Sequence, residues 1–190
     1  MWIFSGQSSK KADGAKKMFL WLKIKKQSLR CFHTIGHAIY IQIKKKIYKL
    51  IMKVQLTKQF DFEMAHALMN YDGHCKNIHG HSYKLYITIE GEPNSDETSS
   101  KCGMVMDFGD LKKIVYENII DKYDHALVLN EKAVFENSLN TKLIRTSFQP
   151  TCENMLIYFY QILNDKLPRG VRLCKLRMYE TATSYAELVL

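Results

Sequence analysis

Alternation of apolar and polar side chains begins just after Met52 and organises the chain from there on. In "VQLTKQFDF", Val54, Leu56, Phe60 and Phe62 fall on alternate positions, the two-residue period of a strand with one buried face. "HSYKLYITIEGEP" repeats the pattern. Tyr83, Leu85, Ile87 and Ile89 lie on one side and Lys84, Tyr86, Thr88 and Glu90 on the other, until Gly91 and Pro93 end it. "NSDETSSKCG" is polar and turn-like, and "MVM" is expected to form a short strand. Asp107 reads as the N-cap of a helix to about Asp121, with Leu111, Ile114, Val115 and Ile119 on its inner face.

"YDHALVLNE" reads as a loop, and residues 131–149 as irregular. Pro150 and Thr151 open a second helix to about Leu167, with Met155, Leu156, Phe159, Ile162 and Leu163 at helical spacing. "PRG" stops it, and a last strand is expected from Val171 to Glu180. Strands with one polar face beside two amphipathic helices imply an α+β fold, an antiparallel sheet covered on one side by the helices.

Charge changes the picture for the first quarter only. The net charge is +9, yet residues 1–51 hold twelve Lys/Arg and one acid, which leaves 16 basic and 18 acidic groups for the rest. A near-neutral remainder has no general attraction for polyanions, so no nucleic acid is expected on it. The apolar runs "MFLWL" and "IYIQI" are too short to span a membrane or to form a signal-peptide core. Residues 1–51 therefore read as a basic N-terminal extension, disordered or upstream of the working protein, and 52–190 as the folded domain that does the work. The lysine runs also suit contact with RNA, which makes a zinc-stabilised RNA-binding protein the competing reading. Five cysteines (Cys31, Cys75, Cys102, Cys152 and Cys174) without a CxxC pair argue for a reducing cytoplasm.

The candidate chemistry sits in "CKNIHGHSY". His79 and His81 lie two apart at the start of a strand, so their side chains leave the same face. His66, in "FEMAH", ends the preceding strand and would land beside them if the two strands form an antiparallel hairpin. Three histidines with a vacant position are the pattern of a catalytic zinc site. Singly, each is equally a surface or hydrogen-bonded residue. Cys75 is open to two readings, a fourth ligand or a group that does chemistry beside the metal. His74 reads as structural.

"FEMAH", "CxxxHGHSY", "MDFGDLK", "YDHALVLN", "PTCEN" and "YETATSYAE" occur in an order that resembles the 6-pyruvoyl-tetrahydropterin synthase family, from Met52 to Glu187. The resemblance implies the T-fold, a four-stranded antiparallel sheet backed by two helices that oligomerises into a barrel with active sites at subunit contacts. It implies one zinc ion per subunit on His66, His79 and His81, with Cys75 as catalytic base. Asp124 and His125 would complete a catalytic triad with that cysteine. Glu180 would anchor the pterin and belong to the catalytic set, while Thr151 and Glu153 would line the pterin pocket.

The implied substrate is 7,8-dihydroneopterin triphosphate, handled by a soluble homo-oligomeric zinc lyase. Lys76 and Arg177 are candidates for its triphosphate. Three residues between Cys75 and His79 resemble the bacterial branch, which makes 6-carboxy-tetrahydropterin with loss of acetaldehyde on the route to queuosine. The sister branch stops at the pyruvoyl product.

Overall fold

The computed structural model describes residues 40–44, 52–136 and 140–190. The expectations about the rest of the basic extension lie outside the described residues. The chain divides into two units, Met1–Ile51 and Met52–Leu190. In the first, residues 40–44 are helical and exposed; all that follows concerns the second.

Strands β1 (Val54–His66) and β2 (His79–Gly91) pair antiparallel over thirteen residues each, from Val54 opposite Gly91 to His66 opposite His79. That register lays the two alternating patterns over each other. Phe60, Phe62 and Met64 emerge on the same face as Tyr83, Leu85, Ile87 and Ile89, all buried. Strands β3 (Ala126–Asn130) and β4 (Leu143–Thr146) extend the sheet beyond β1, each added parallel. Strand β5 (Val171–Tyr179) lies antiparallel on the far side of β2, and β6 (Tyr185–Val189) antiparallel beyond it. The order is β4-β3-β1-β2-β5-β6. A bulge between Thr88 and Ile89 leaves Cys174 as the extra residue of β5, its thiol donating to the Thr88 carbonyl at 3.3 Å.

The expected four-stranded antiparallel sheet is thus corrected to six strands in a mixed sheet. "ALVLN", read as part of a loop, is β3. It is buried at every residue, so it has no polar face and no alternation to betray it, as befits a strand in parallel pairing. Strands β4 and β6 have only four and five residues, too few to show a period. "MVM" forms no strand and leads directly into the helix cap.

Helix α1 (Phe108–Val115) begins at Asp107, whose carboxylate accepts from the Gly109 N–H at 2.6 Å. It runs on through a π-helical turn, Tyr116–Ile120, into α2 (Asp121–Tyr123). Helix α3 (Cys152–Asn164) is capped by Thr151, whose hydroxyl accepts from the Asn154 N–H at 3.3 Å, and ends three residues short of Leu167. Leu111, Val115 and Ile119 from the first helical run and Met155, Leu156, Phe159 and Leu163 from α3 join the inward strand residues in one core. Phe62 stacks on Tyr83 at 5.2 Å, and Phe159 meets Phe62 and Tyr123 edge-on at 6.4 and 5.1 Å. The other sheet face is polar, with a Thr57–Thr88 hydroxyl pair and an Arg177–Glu187 ion pair.

Because Phe159 is fully buried at the centre of this aromatic contact, Phe159→Ala is expected to cost about 3–5 kcal/mol of stability in urea unfolding. A loss below about 1 kcal/mol would mean that the helix does not pack there.

Candidate metal centre

The row of inward side chains on β1 and β2 is apolar until its end, where it becomes three imidazoles. His66 stands opposite His79, and Met64 opposite His81. Residues two apart on a strand share a face. His66, His79 and His81 therefore emerge together at one edge of the core. Their ring centroids lie 4.6, 4.9 and 5.2 Å apart. His66 is buried and the other two are half-buried. One ring nitrogen from each falls within 4.8 Å of the other two, a group that could hold a metal ion.

The hydrogen bonds decide how these rings can be used. His66 Nδ1 is 2.7 Å from the Pro150 carbonyl oxygen, and His79 Nδ1 is 2.8 Å from that of Asn77. A carbonyl can only accept, so each Nδ1 carries a proton, and in the neutral ring Nε2 is the nitrogen with the free lone pair. Those two Nε2 atoms lie 3.1 Å apart. Two lone pairs facing each other at that distance repel unless a cation lies between them. A tetrahedral ion with nitrogens at about 2.0–2.1 Å would hold a pair of them about 3.4 Å apart, a small adjustment. Backbone carbonyls that fix the ring orientation are the usual outer support of such a ligand. Burial, more than mutual repulsion, lowers the pKa of His66 and of His81, which favours the neutral, ligating form. The donor set fits a divalent metal.

Glu180 follows β5 immediately. Its Oε1 lies 4.0 Å from His66 Nε2 and accepts from the Tyr83 hydroxyl at 3.4 Å. Burial, then the adjacent Glu180 carboxylate, pushes the Tyr83 phenol well above its ordinary pKa, so it stays a donor. Cys75 lies in a single 3-10 turn (His74–Lys76) within the β1–β2 connection, half-buried, its carbonyl accepting from the Leu68 N–H at 2.8 Å. Lys76 is exposed beside it. Thr151 caps α3, and Glu153 is exposed in the first turn of that helix.

Three expected participants make their contacts elsewhere in a single chain. Asp124 and His125 precede β3, with Asp124 Oδ2 at 2.9 Å from His125 Nδ1. The pair is fastened to the backbone of Glu63, which donates to Asp124 Oδ1 at 2.9 Å and accepts from His125 N–H at 2.6 Å. The Glu63 N–H, then His125, holds the Asp124 carboxyl below its ordinary pKa. His125 adopts φ +60° and leaves its ring 77 % exposed. Its partners among the described residues are Asp124 and Glu63, not Cys75. Arg177 is paired across to Tyr86 on the polar sheet face, opposite the imidazoles, and is bound to Glu187 at 2.6 Å.

Tyr83 and the carbonyls of Asn77 and Pro150 were not singled out from the sequence. Tyr83 reads as one more core residue in an alternating row. Carbonyls leave no trace in residue identity.

The chain resembles proteins of known name across its second unit. The profile of the family described as 6-pyruvoyl tetrahydropterin synthase matches residues 55–189. The 6-carboxy-5,6,7,8-tetrahydropterin synthase of Haemophilus influenzae is 36% identical over 140 residues, covering 70% of this chain and 96% of that protein. The Aquifex aeolicus protein of the same name is 29% identical over 164 residues, covering 72% and 98%. Among solved structures, 6-pyruvoyl tetrahydropterin synthase of Caenorhabditis elegans superposes with a TM-score of 0.53 at 27% identity, covering 73% of this chain and 96% of that one. An uncharacterized protein of Wolinella succinogenes gives a TM-score of 0.59 at 19% identity, covering 73% and 98%, and supports the fold alone.

Purified protein loaded with zinc is expected to retain about one ion per chain after desalting, and His79→Ala to lose most of it. Metal content by mass spectrometry checks this, and unchanged content in the variant would show that the imidazoles are not the ligands. Thiol labelling gives a second test. Cys152 donates to the Met178 carbonyl at 3.3 Å and burial pushes its thiol up to about 12; Cys174 is buried and its pKa raised likewise. Iodoacetamide at roughly pH 8 is expected to label Cys75 and Cys102 in the native protein and to spare Cys152 and Cys174 until unfolding. Peptide mass mapping reads the difference, and early labelling of Cys152 would contradict its placement.

Proposed function

The chain belongs to the 6-pyruvoyl tetrahydropterin synthase family, and from that footing we propose that it is a 6-carboxy-tetrahydropterin synthase. The reaction takes 7,8-dihydroneopterin triphosphate and water to 6-carboxy-tetrahydropterin, acetaldehyde and triphosphate, on the cytoplasmic route to queuosine. The observation that carries this is the convergence of three imidazoles at one end of the core with a carboxylate 4.0 Å away. The choice of branch is supported by the names of the bacterial relatives and by the three-residue gap between Cys75 and His79.

His66, His79 and His81 would hold the metal, which we take to be zinc, and when bound it would polarise the substrate's side-chain oxygens so that adjacent C–H protons become removable. The other roles belong to the chain's own groups. Glu180 would accept two hydrogen bonds from the pterin's amino group and ring N–H, the paired geometry a carboxylate offers a guanidinium. Its place beside His66 would set the substrate side chain over the imidazoles. Cys75 would take and return protons as a thiolate not bound to the metal, since a closed four-ligand site leaves no position for substrate. Thr151 and Glu153, at the N-terminus of α3, would border the ring pocket.

The Asp124–His125 pair, exposed on a single chain, would serve a thiol presented by another copy, with Asp124 fixing the imidazole tautomer. That assignment makes the working enzyme a homo-oligomer with sites at subunit contacts, built by joining sheets into a barrel. Residues 52–190 would form the catalytic domain and residues 1–51 a dispensable extension.

Incubating the zinc-loaded protein with dihydroneopterin triphosphate is expected to release acetaldehyde, read by a coupled NADH assay, together with the carboxy pterin. Cys75→Ala is expected to lower kcat by roughly 10²–10⁴ while the metal is retained. A pyruvoyl product without acetaldehyde would move the enzyme to the sister branch, and no consumption of substrate would end the proposal.

A further inference from the structure

Gln149 connects the two halves of the site. Its side-chain amide pairs with the backbone of Met69 as one peptide pairs with another. The Met69 N–H donates to Gln149 Oε1 at 3.1 Å, and Gln149 Nε2 donates to the Met69 carbonyl at 2.6 Å, across 80 residues of sequence. Met69 is the neighbour of Leu68, whose N–H donates to the Cys75 carbonyl at 2.8 Å. One backbone step from this clamp is thus the turn that carries Cys75.

On its other side Gln149 is bonded to Pro150, whose carbonyl fixes the His66 ring at 2.7 Å. Gln149 itself is held firmly. Its carbonyl accepts from the Thr151 N–H at 2.8 Å and from the Asn154 side-chain amide at 3.0 Å, at the capped start of α3. The clamp is half-buried, so both Met69 groups would lose partners on its removal, and the connection would have to shift or admit water.

The β2 end of the same connection is anchored separately. The Asn77 N–H and side-chain amide both donate to the His74 carbonyl, and the Asn77 carbonyl holds His79. Among the described residues, the turn is held at the β1 end through the Leu68–Cys75 hydrogen bond alone, and Gln149 fixes the Met69 backbone next to it. We infer that Gln149 is a positioning residue that sets the place of Cys75 relative to the imidazoles, acting through the Met69 backbone without touching substrate. The inference deepens the proposed function, resting on Cys75 as the proton-transferring group, but the clamp can be tested without turnover.

Gln149→Leu keeps the side chain's approximate volume and removes both hydrogen bonds. In the full-length, zinc-loaded protein it is expected to lower kcat roughly ten- to a hundredfold with a smaller change in KM, the signature of a misplaced group. Bound zinc should stay at the wild-type level, and alkylation of Cys75 by iodoacetamide should accelerate several-fold relative to Cys102, as expected if the turn is loosened. Gln149→Glu keeps the acceptor for the Met69 N–H but loses the donor, and should fall between wild type and Gln149→Leu on both scales.

Wild-type kcat together with wild-type alkylation in Gln149→Leu would overturn the inference. So would loss of zinc in step with activity, which would make Gln149 a support of the metal alone. If no protein, wild type included, turns over the pterin while alkylation of Cys75 still accelerates in the variant, the clamp stands and the activity assignment falls. Should Gln149→Leu not fold, hydrogen exchange on the wild-type protein decides: the Met69 amide must be protected, and exchange at the rate of an open loop would refute the clamp.

Discussion

Two backbone carbonyls decide what the end of this sheet can be. By accepting the Nδ1 protons of His66 and His79, Pro150 and Asn77 turn two lone pairs toward each other at 3.1 Å. With both rings neutral, two lone pairs at that distance repel, and a cation held between them relieves the repulsion. His81, delivered to the same face by the strand register, supplies the third nitrogen. Glu180, 4.0 Å from His66, is a carboxylate at a place where positive charge is needed.

The rest of the fold keeps those carbonyls where they are. Asn77 belongs to a turn closed on His74, and Pro150 precedes a helix capped by Thr151 and packed through Phe159 onto Phe62. Phe62 in turn stacks on Tyr83, whose hydroxyl reaches Glu180. The aromatic core and the polar site are thus consecutive parts of one row of side chains, and core packing carries over into ligand orientation. Strand β3 pairs with β1 on the side away from β2, and the residues before it pin the Asp124–His125 pair to β1 at Glu63 while leaving the imidazole exposed.

Much of this was legible in the sequence because period-two alternation carries parity. Once Phe62 and Tyr83 are inward, parity puts His66, His79 and His81 inward as well. The same parity places Arg177 outside, because Leu176 and Met178 are inside, which removes it from the same-chain site for which it was a candidate. The Asp107 and Thr151 caps were legible from residue type, and the six ordered motifs gave the family that the profile match then established. Strand β3 was not legible, because burial on both faces erases alternation. The clamp at Gln149 and the two carbonyls were not legible either. They depend on contacts between residues about 80 apart, or on backbone atoms common to every residue type.

The tautomeric state of His66 and His79 tests the central claim most directly. Long-range proton–nitrogen correlation spectra of the imidazoles, recorded without metal and after zinc addition, report which ring nitrogen bears the proton. Both rings should be protonated at Nδ1 throughout, with zinc shifting the Nε2 signals alone. A proton on Nε2 of either ring in the zinc-loaded protein, or a zinc-induced shift at Nδ1 in its place, would contradict the convergence of lone pairs on which the centre is built.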